Sequence, residues 1–379
     1  MSQKPTFLEF FSGGGMARLG LSPLFDCIFA NDNDAKKTSA YRENFGDLDL
    51  VESDISSLRS RDIPTADMAW ASPPCQDLSL AGNRSGLSAS RSGNFWHFWS
   101  LMRDLVVEGR APKLIVIENV PGLLTSSHGA DFRAMVTSLT EIGYRCGVLE
   151  LDAADFVPQS RKRIFVVCAR GNVDRNLLAD KRSYGHQRAV SEDVLEDWKA
   201  SNLLHWYLPP PVTRRSTLID VLEQAPPRHA WRSEAACDAL LDQMTPPHRA
   251  RVAVAEQHPD PQVGAVYRRV RDGVPRAEVR YDGLAGCIRT LKGGSSRQLL
   301  LISEAGQTRL RGLTAREAAR LMGLPDTYQL PRTLTAATNL AGDGVCVPLV
   351  RRLAEHLLHP IVRKVGPSLS IETTLKSAI

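Results

Sequence analysis

The chain is predicted to form an α/β fold, a doubly wound and mostly parallel sheet, joined to a smaller irregular unit. Two observations lead there. From Thr6 to Ala169, short apolar runs alternate with helix-like segments, the pattern of strands linked by crossover helices. After Gly171 the alternation stops, and Pro, Arg, His and Trp become frequent as far as about Ala285. A chain of 379 residues has room for both parts.

Thr6 to Phe11 reads as the first strand, followed by Ser12-Gly13-Gly14-Gly15 and a helix. Phe25 to Asn31 reads as the second strand, with a helix from Asp34 to Asn44. Leu50 to Glu52 and Met68 to Ala71 are short apolar strands, and Phe95 to Glu108 a helix. Leu114 to Ile117 is a fully buried strand ending at Glu118. Phe132 to Ile142 has helical periodicity. Arg145 to Leu151 and Arg163 to Ala169 are close enough for an antiparallel hairpin. Periodicity between Arg175 and Ala285 is weak. Regular structure resumes with a strand at Gln298 to Ile302, a helix from Thr314 to Met322 opened by a Thr314–Glu317 capping box, and a helix from Val347 to Leu358. The expected divisions are 1–172 for the sheet domain, 173–285 for the irregular domain, 286–360 for a return to the first domain, and 361–379 for a tail, poorly ordered beyond Pro367.

The composition, 43% hydrophobic and 23% charged, is that of an ordinary soluble protein. No apolar run approaches a membrane span and Met1 to Pro5 carries no signal-peptide core, so a cytoplasmic protein without membrane partners is expected. The 7 cysteines include no Cys-x-x-Cys pair, which argues against a zinc site or a disulfide framework, and no metal is expected. Cys27, Cys146 and Cys168 read as core residues. The net charge is +5. Arg249 to Arg297 alone holds ten Lys or Arg against five Asp or Glu, the excess expected of a phosphate-binding surface.

Ala71-Ser72-Pro73-Pro74-Cys75-Gln76 follows a buried strand end. Two prolines stiffen the support of Cys75, which suits a nucleophile that must meet its target in one geometry. The glycine loop lets backbone approach a ligand and leaves helix N-terminal amides free. Asp32 closes the second strand, where a carboxylate can hold a ribose, and Asp54 follows the third, where it can accept from an adenine amino group. A carboxylate at Glu118, ending a buried strand, is costly without a partner or a task. In Gln159-Ser160-Arg161-Lys162-Arg163 the alternate arginines point the same way.

Together, Phe11-Ser12-Gly13-Gly14-Gly15, Pro73-Pro74-Cys75-Gln76, Glu118-Asn119-Val120 and Gln159-x-Arg161-x-Arg163 resemble, in order, the motifs of the DNA (cytosine-5)-methyltransferases. Arg289-Thr290-Leu291 with the helix after Leu313, and Gly342-Asp343-Gly344-Val345, resemble that family's ninth and tenth motifs. The resemblance implies the fold of S-adenosylmethionine-dependent methyltransferases, with residues 173–285 as a target-recognition domain. It implies that Cys75 adds to C6 of a flipped cytosine. Glu118 would contact N3 and the exocyclic amine, Arg163 would hold O2, Arg161 would support the site, and Asn119 would shape the loop. The cofactor would be held by Phe11, Gly13, Gly14, Gly15, Asp32, Asn33, Asp54, Ile55, Pro74 and Asn94, with Asp343, Gly344 and Val345. Contacts to double-stranded DNA would come from Gln76, Thr290, Arg268, Arg269 and Arg271, and Asp77 to Gly93 would close over the base.

A monomer is implied, with a restriction endonuclease as a functional partner. Two alternatives stand beside it: an RNA cytosine-5 methyltransferase, against which the long insertion argues, and a catalytically idle DNA-binding protein, against which Cys75, Glu118 and Arg163 argue. Two departures are specific to this chain. Asn33 stands where the family often has an aromatic residue, and Asp343-Gly344 replaces Asn-Ser. A carboxylate at Asp343 would favour the positive charges of the cofactor's methionine end.

Overall fold

The computed structural model describes residues 3–74, 93–179, 184–185, 203–214, 216–290 and 297–364. Its first part runs β1 (Thr6–Phe10), α1 (Met16–Leu21), β2 (Asp26–Asp32), α2 (Ala35–Phe45), β3 (Leu50–Glu52), β4 (Met68–Ala71), α3 (Asn94–Val107), β5 (Leu114–Asn119), α4 (Ala130–Glu141), β6 (Arg145–Asp152) and β7 (Lys162–Ala169). These strands form one sheet in the order β3-β2-β1-β4-β5-β7-β6. The pairs from β3 to β5 are parallel, and β7 runs antiparallel to both β5 and β6.

Period-2 alternation divides the core. Phe7, Trp70 and Val116 face one layer, with α1 and the C-terminal helices. Leu8, Phe10, Ala71 and Ile117 face the other, with Phe98 and Met102 of α3 and Phe132 and Met135 of α4. The sheet is therefore covered on both faces, as expected of a doubly wound fold. The chain turns from β1 to β2 on one side and to β4 on the other, which opens a crevice at the strand carboxyl ends.

Three local expectations change. The first strand stops at Phe10 because Phe11 has φ 58. Cys146 and Cys168 are core residues as expected, but they form a disulfide pair where no disulfide was expected; the β6–β7 register sets them directly opposite, which spacing does not reveal. The C-terminal helix α9 (Val347–Leu353) continues through a π turn over Ala354–Leu358 into α10 (His359–Lys364), with Ile361 and Val362 buried. A tail beginning at 361 is therefore corrected; residues from 365 lie outside the described part.

The segment expected to be irregular contains two helices, α5 (Glu234–Asp242) and α6 (Pro246–Glu256), and a hairpin, β8 (Gln262–Arg271) and β9 (Val274–Arg280). The hairpin turns on Asp272-Gly273, both at positive φ, a favoured two-residue hairpin turn. Its strand pattern is hidden because the outer half of β8 is exposed and arginine-rich. Strands β10 (Leu299–Glu304) and β11 (Gln307–Gly312) complete a four-stranded sheet, β11-β10-β8-β9. The boundary expected at residue 285 thus falls between strands of one sheet. That sheet is tied to α7 (Ala315–Arg320) by a buried bidentate pair: Arg311 donates to both oxygens of Glu317, at 2.8 Å each. Glu317 also completes the expected capping box with Thr314.

Candidate active site

At the carboxyl ends of β1, β2, β4 and β5 lies a cavity of about 380 Å³. The loop after β1 forms its floor. Gly15 needs φ 74, and a Cβ there would meet the Phe45 ring. Of the residues expected to hold a cofactor, the cavity wall includes Phe11, Gly13, Gly14, Asp32, Asn33 and Ile55. It also includes Pro74, Asn94, Asp343, Gly344 and Val345. Gly15 and Asp54 are set back from it. Asp32 accepts from Gly13 N at 2.8 Å and from Asp34 N at 2.9 Å, so it braces the loop as well as facing the cavity. Asp54 caps Ser56 and accepts from Asn33 Nδ2 at 3.4 Å. The hydrogen bonds from Ser56 hold its carboxyl below the usual range.

The other end of the cavity carries the charged residues of β5 and β7. Glu118 is buried, and Arg163 Nε lies 3.1 Å from its Oε1. Burial pushes the Glu118 carboxyl up, while Arg163, Arg161 and a hydrogen bond from Ser72 pull it down. Asn119 Nδ2 donates to Pro73 O at 3.0 Å, and Asn119 Oδ1 accepts from Val120 N. This links the end of β5 to the Pro73-Pro74 support. Cys75 and Gln76, the expected nucleophile and its neighbour, lie outside the described residues, as does the loop expected to close.

Arg161 is 2% exposed. It donates to Ile288 O at 2.8 Å, to Gly342 O at 2.9 Å and to Gly344 O at 2.7 Å. Burial lowers its pKa. It is a joint between β7 and two distant segments. Gln159 is a second joint: its amide donates to Leu321 O and accepts from Ile288 N.

Two wall residues had no place in the sequence reading. Glu9 is 1% exposed, and burial pushes its carboxyl up to about 8. Lys37 Nζ lies 2.7 Å from Asp343 Oδ2. Asp343, expected to favour the positive charges of the cofactor's methionine end, thus also has a partner of opposite charge in the cavity wall. Lys37 sits in the turn that Asp34 caps, a local signal that it lies near the strand end, but its partner is 306 positions away.

A second cleft, of about 760 Å³, lies between the smaller sheet and the segment after it. Its wall holds seven arginines (232, 268, 269, 289, 297, 316 and 332) against one acid, Glu223, which makes it strongly cationic. Arg268 and Arg269 are in it. Arg271 is not: it pairs with Glu278 near the hairpin turn. Thr290 lines the first cavity and Arg289 the second, so consecutive residues join the two. Among the described residues, no His, Cys, Asp and Glu group fits a metal, and no helix is long and apolar enough to cross a membrane.

A doubly wound sheet with a glycine-loop cavity, opening toward a cationic cleft, defines an enzyme of the methyltransferase fold. The family described as C-5 cytosine-specific DNA methylase matches residues 5–359, and the chain belongs to that family of DNA (cytosine-5)-methyltransferases. It is 27% identical over 354 residues to the type II methyltransferase M.NlaX of Neisseria lactamica, covering 92% of this chain and 95% of that one. It is 24% identical over 353 residues to M.HhaI of Haemophilus parahaemolyticus, covering 93% of each. In fold it resembles the Dnmt2 methyltransferase of S. pombe, with a TM-score of 0.64 and 21% identity over 94% of this chain and 99% of that one. The methyltransferase EhMeth of Entamoeba histolytica gives 0.59 and 16% over 94% and 98%.

The family implies dependence on S-adenosylmethionine, and the cavity suits it. Three buried polar atoms in its wall, Glu9 Oε2, Ser12 Oγ and Arg161 Nε, have no hydrogen-bond partner within the protein. A Cβ at Gly344 would collide with Met16, so backbone alone lines that side.

Proposed function

We propose that this enzyme methylates C5 of a cytosine flipped out of a specific double-stranded DNA sequence, through a covalent bond between Cys75 Sγ and C6. One observation carries the reading: the Glu118–Arg163 pair faces the same cavity as Pro74, the residue immediately before Cys75. Attack of the thiolate on C6 forms the C–S bond and pushes electron density toward N3 and C5. Glu118, whose carboxyl burial favours in the protonated form, supplies a hydrogen bond or proton at N3. Arg163 holds O2, where negative charge develops. S-adenosylmethionine supplies the electrophilic methyl group when bound, with Asp32 at the ribose and Asn33, Asp54 and Ile55 around the adenine. Loss of the C5 proton then expels the thiolate. Arg161 and Asn119 keep these groups in place.

The arginine cleft would hold the duplex, and the Arg289–Thr290 step would mark where the base passes into the cavity. The recognition unit would comprise residues 173–285 together with β10 and β11, because these strands share its sheet. The chain would act as a monomer, in the cytoplasm, and in cells with a matching restriction endonuclease it would protect host DNA, as the names of its type II relatives suggest.

The test has two stages. Bisulfite sequencing of DNA from cells expressing the protein identifies the site. A duplex carrying 5-fluorocytosine at that site should then form a complex that survives denaturant, because the fluorine blocks the final proton loss. Cys75→Ser should bind the duplex without forming it. Full dissociation of the wild-type complex under turnover conditions would remove the covalent mechanism.

A further inference from the structure

Lys37 and Asp343 form an ion pair of opposite charges, 2.7 Å apart, in the wall of the cofactor cavity. One comes from the first turn of α2 and the other from the end of α8 (Leu334–Asp343). Both are partly exposed, with side-chain accessibilities of 23% and 41%. The Lys37 stem passes over the glycine loop, its Cδ 3.9 Å from where a Gly13 Cβ would lie. The Asp343 backbone is held by Arg161, which takes the carbonyls on either side, Gly342 O and Gly344 O. The Asp343 end of the pair is thus held by Arg161, the joint at the start of β7. The pair lies apart from the two ends already assigned, Asn33 and Ile55 on one side and Glu118 and Arg163 on the other.

Resting on the cofactor reading above, we infer that Lys37 and Asp343 together recognise the zwitterionic α-amino-acid end of the cofactor, Lys37 the carboxylate and Asp343 the ammonium. The chemistry is complementary. An α-amino acid presents one positive and one negative group on a single carbon, and the wall presents one of each in adjacent positions. An ammonium has three donors and a carboxylate two acceptor oxygens, so each partner keeps capacity after meeting the other. The paired wall is neutral overall, so it favours a zwitterion over a tail of net charge of either sign.

The experiment is calorimetric binding of two nucleosides, S-adenosylhomocysteine and 5′-methylthioadenosine, which lacks the amino-acid end. Wild type should bind the first more tightly. Lys37→Ala and Asp343→Ala should each weaken S-adenosylhomocysteine about tenfold, as for a lost charge-assisted contact, and leave 5′-methylthioadenosine unchanged. The exchanged pair, Lys37→Asp with Asp343→Lys, should remain as weak for S-adenosylhomocysteine, because the charges now face the wrong groups. Recovery in the exchanged protein would make the pair a strut between α2 and α8 and overturn the inference. So would equal losses for both nucleosides, or a wild type that binds the two alike. A wild type that binds neither overturns the cofactor reading itself.

Discussion

Replacement of Glu9 by Gln should stabilise the protein, and by more at alkaline than at acid pH. Glu9 lies on β1 beneath the glycine loop, with Oε1 accepting from Arg18 N at 3.1 Å and Oε2 without a partner. Burial raises its carboxyl from 4.5 to about 8; Asp32 adds to the rise, and Arg18 opposes it. The folded protein therefore keeps a proton that the unfolded chain gives up. Below pH 4.5 both states are protonated and the shift costs nothing. As pH rises from 4.5 toward 8 the cost grows, and above 8 it is constant. At about 1.4 kcal/mol per pH unit, the 2.5 units between 4.5 and pH 7 amount to about 3 kcal/mol. Gln has the shape of the protonated acid and keeps the acceptor for Arg18, so the two proteins should differ by less than about 1 kcal/mol near pH 5. Urea unfolding of both across pH 5 to 8.5 reads the difference directly. A gap that stays flat with pH, or one that favours wild type at alkaline pH, would refute a neutral buried Glu9.

Two further outcomes follow from the site and the cleft. Asp32→Ala should weaken S-adenosylhomocysteine by about 1–3 kcal/mol, since it would remove the proposed ribose acceptor together with the brace on Gly13 N; unchanged affinity by calorimetry would take Asp32 out of the cofactor site. Neutralising Arg268 and Arg269 should weaken binding to all duplexes and lower the slope of affinity against salt by about two, whereas Arg271→Ala, which shares Glu278 with Arg269 but lies outside the cleft wall, should do less. Equal effects from Arg271 would place the duplex across the hairpin tip instead of in the cleft.

Local physics wrote much of this protein into its sequence. Leu50–Glu52 and Met68–Ala71 were legible to the residue as strands; for Met68–Ala71 the reason is that a short apolar run inside a parallel sheet is buried on both faces. The Thr314–Glu317 capping box and the Asp34 cap were equally legible, since both are closed within one turn. Asp32 and Glu118 could be placed at strand ends, and so at one rim, from strand order alone. The hairpin of β8 and β9 was also written, in Asp272-Gly273, but solvent-facing arginines diluted its alternation.

Other features depended on the path of the whole chain. Strands β10 and β11 could join either sheet by pattern, and only pairing with β8 assigns them to the smaller one. Arg161 could be read as lining a polar site; tertiary structure made it a buried joint to carbonyls 181 and 183 positions away. The sequence did not show that Lys37 pairs with Asp343, nor that Glu9 is buried, with Oε1 accepting from Arg18 N. Periodicity, caps and turns involve neighbours a few residues apart, so sequence determines them. The charge state and partners of a buried group are determined by what the fold brings against it, from Arg18 beside Glu9 to the carbonyls of Gly342 and Gly344 on Arg161.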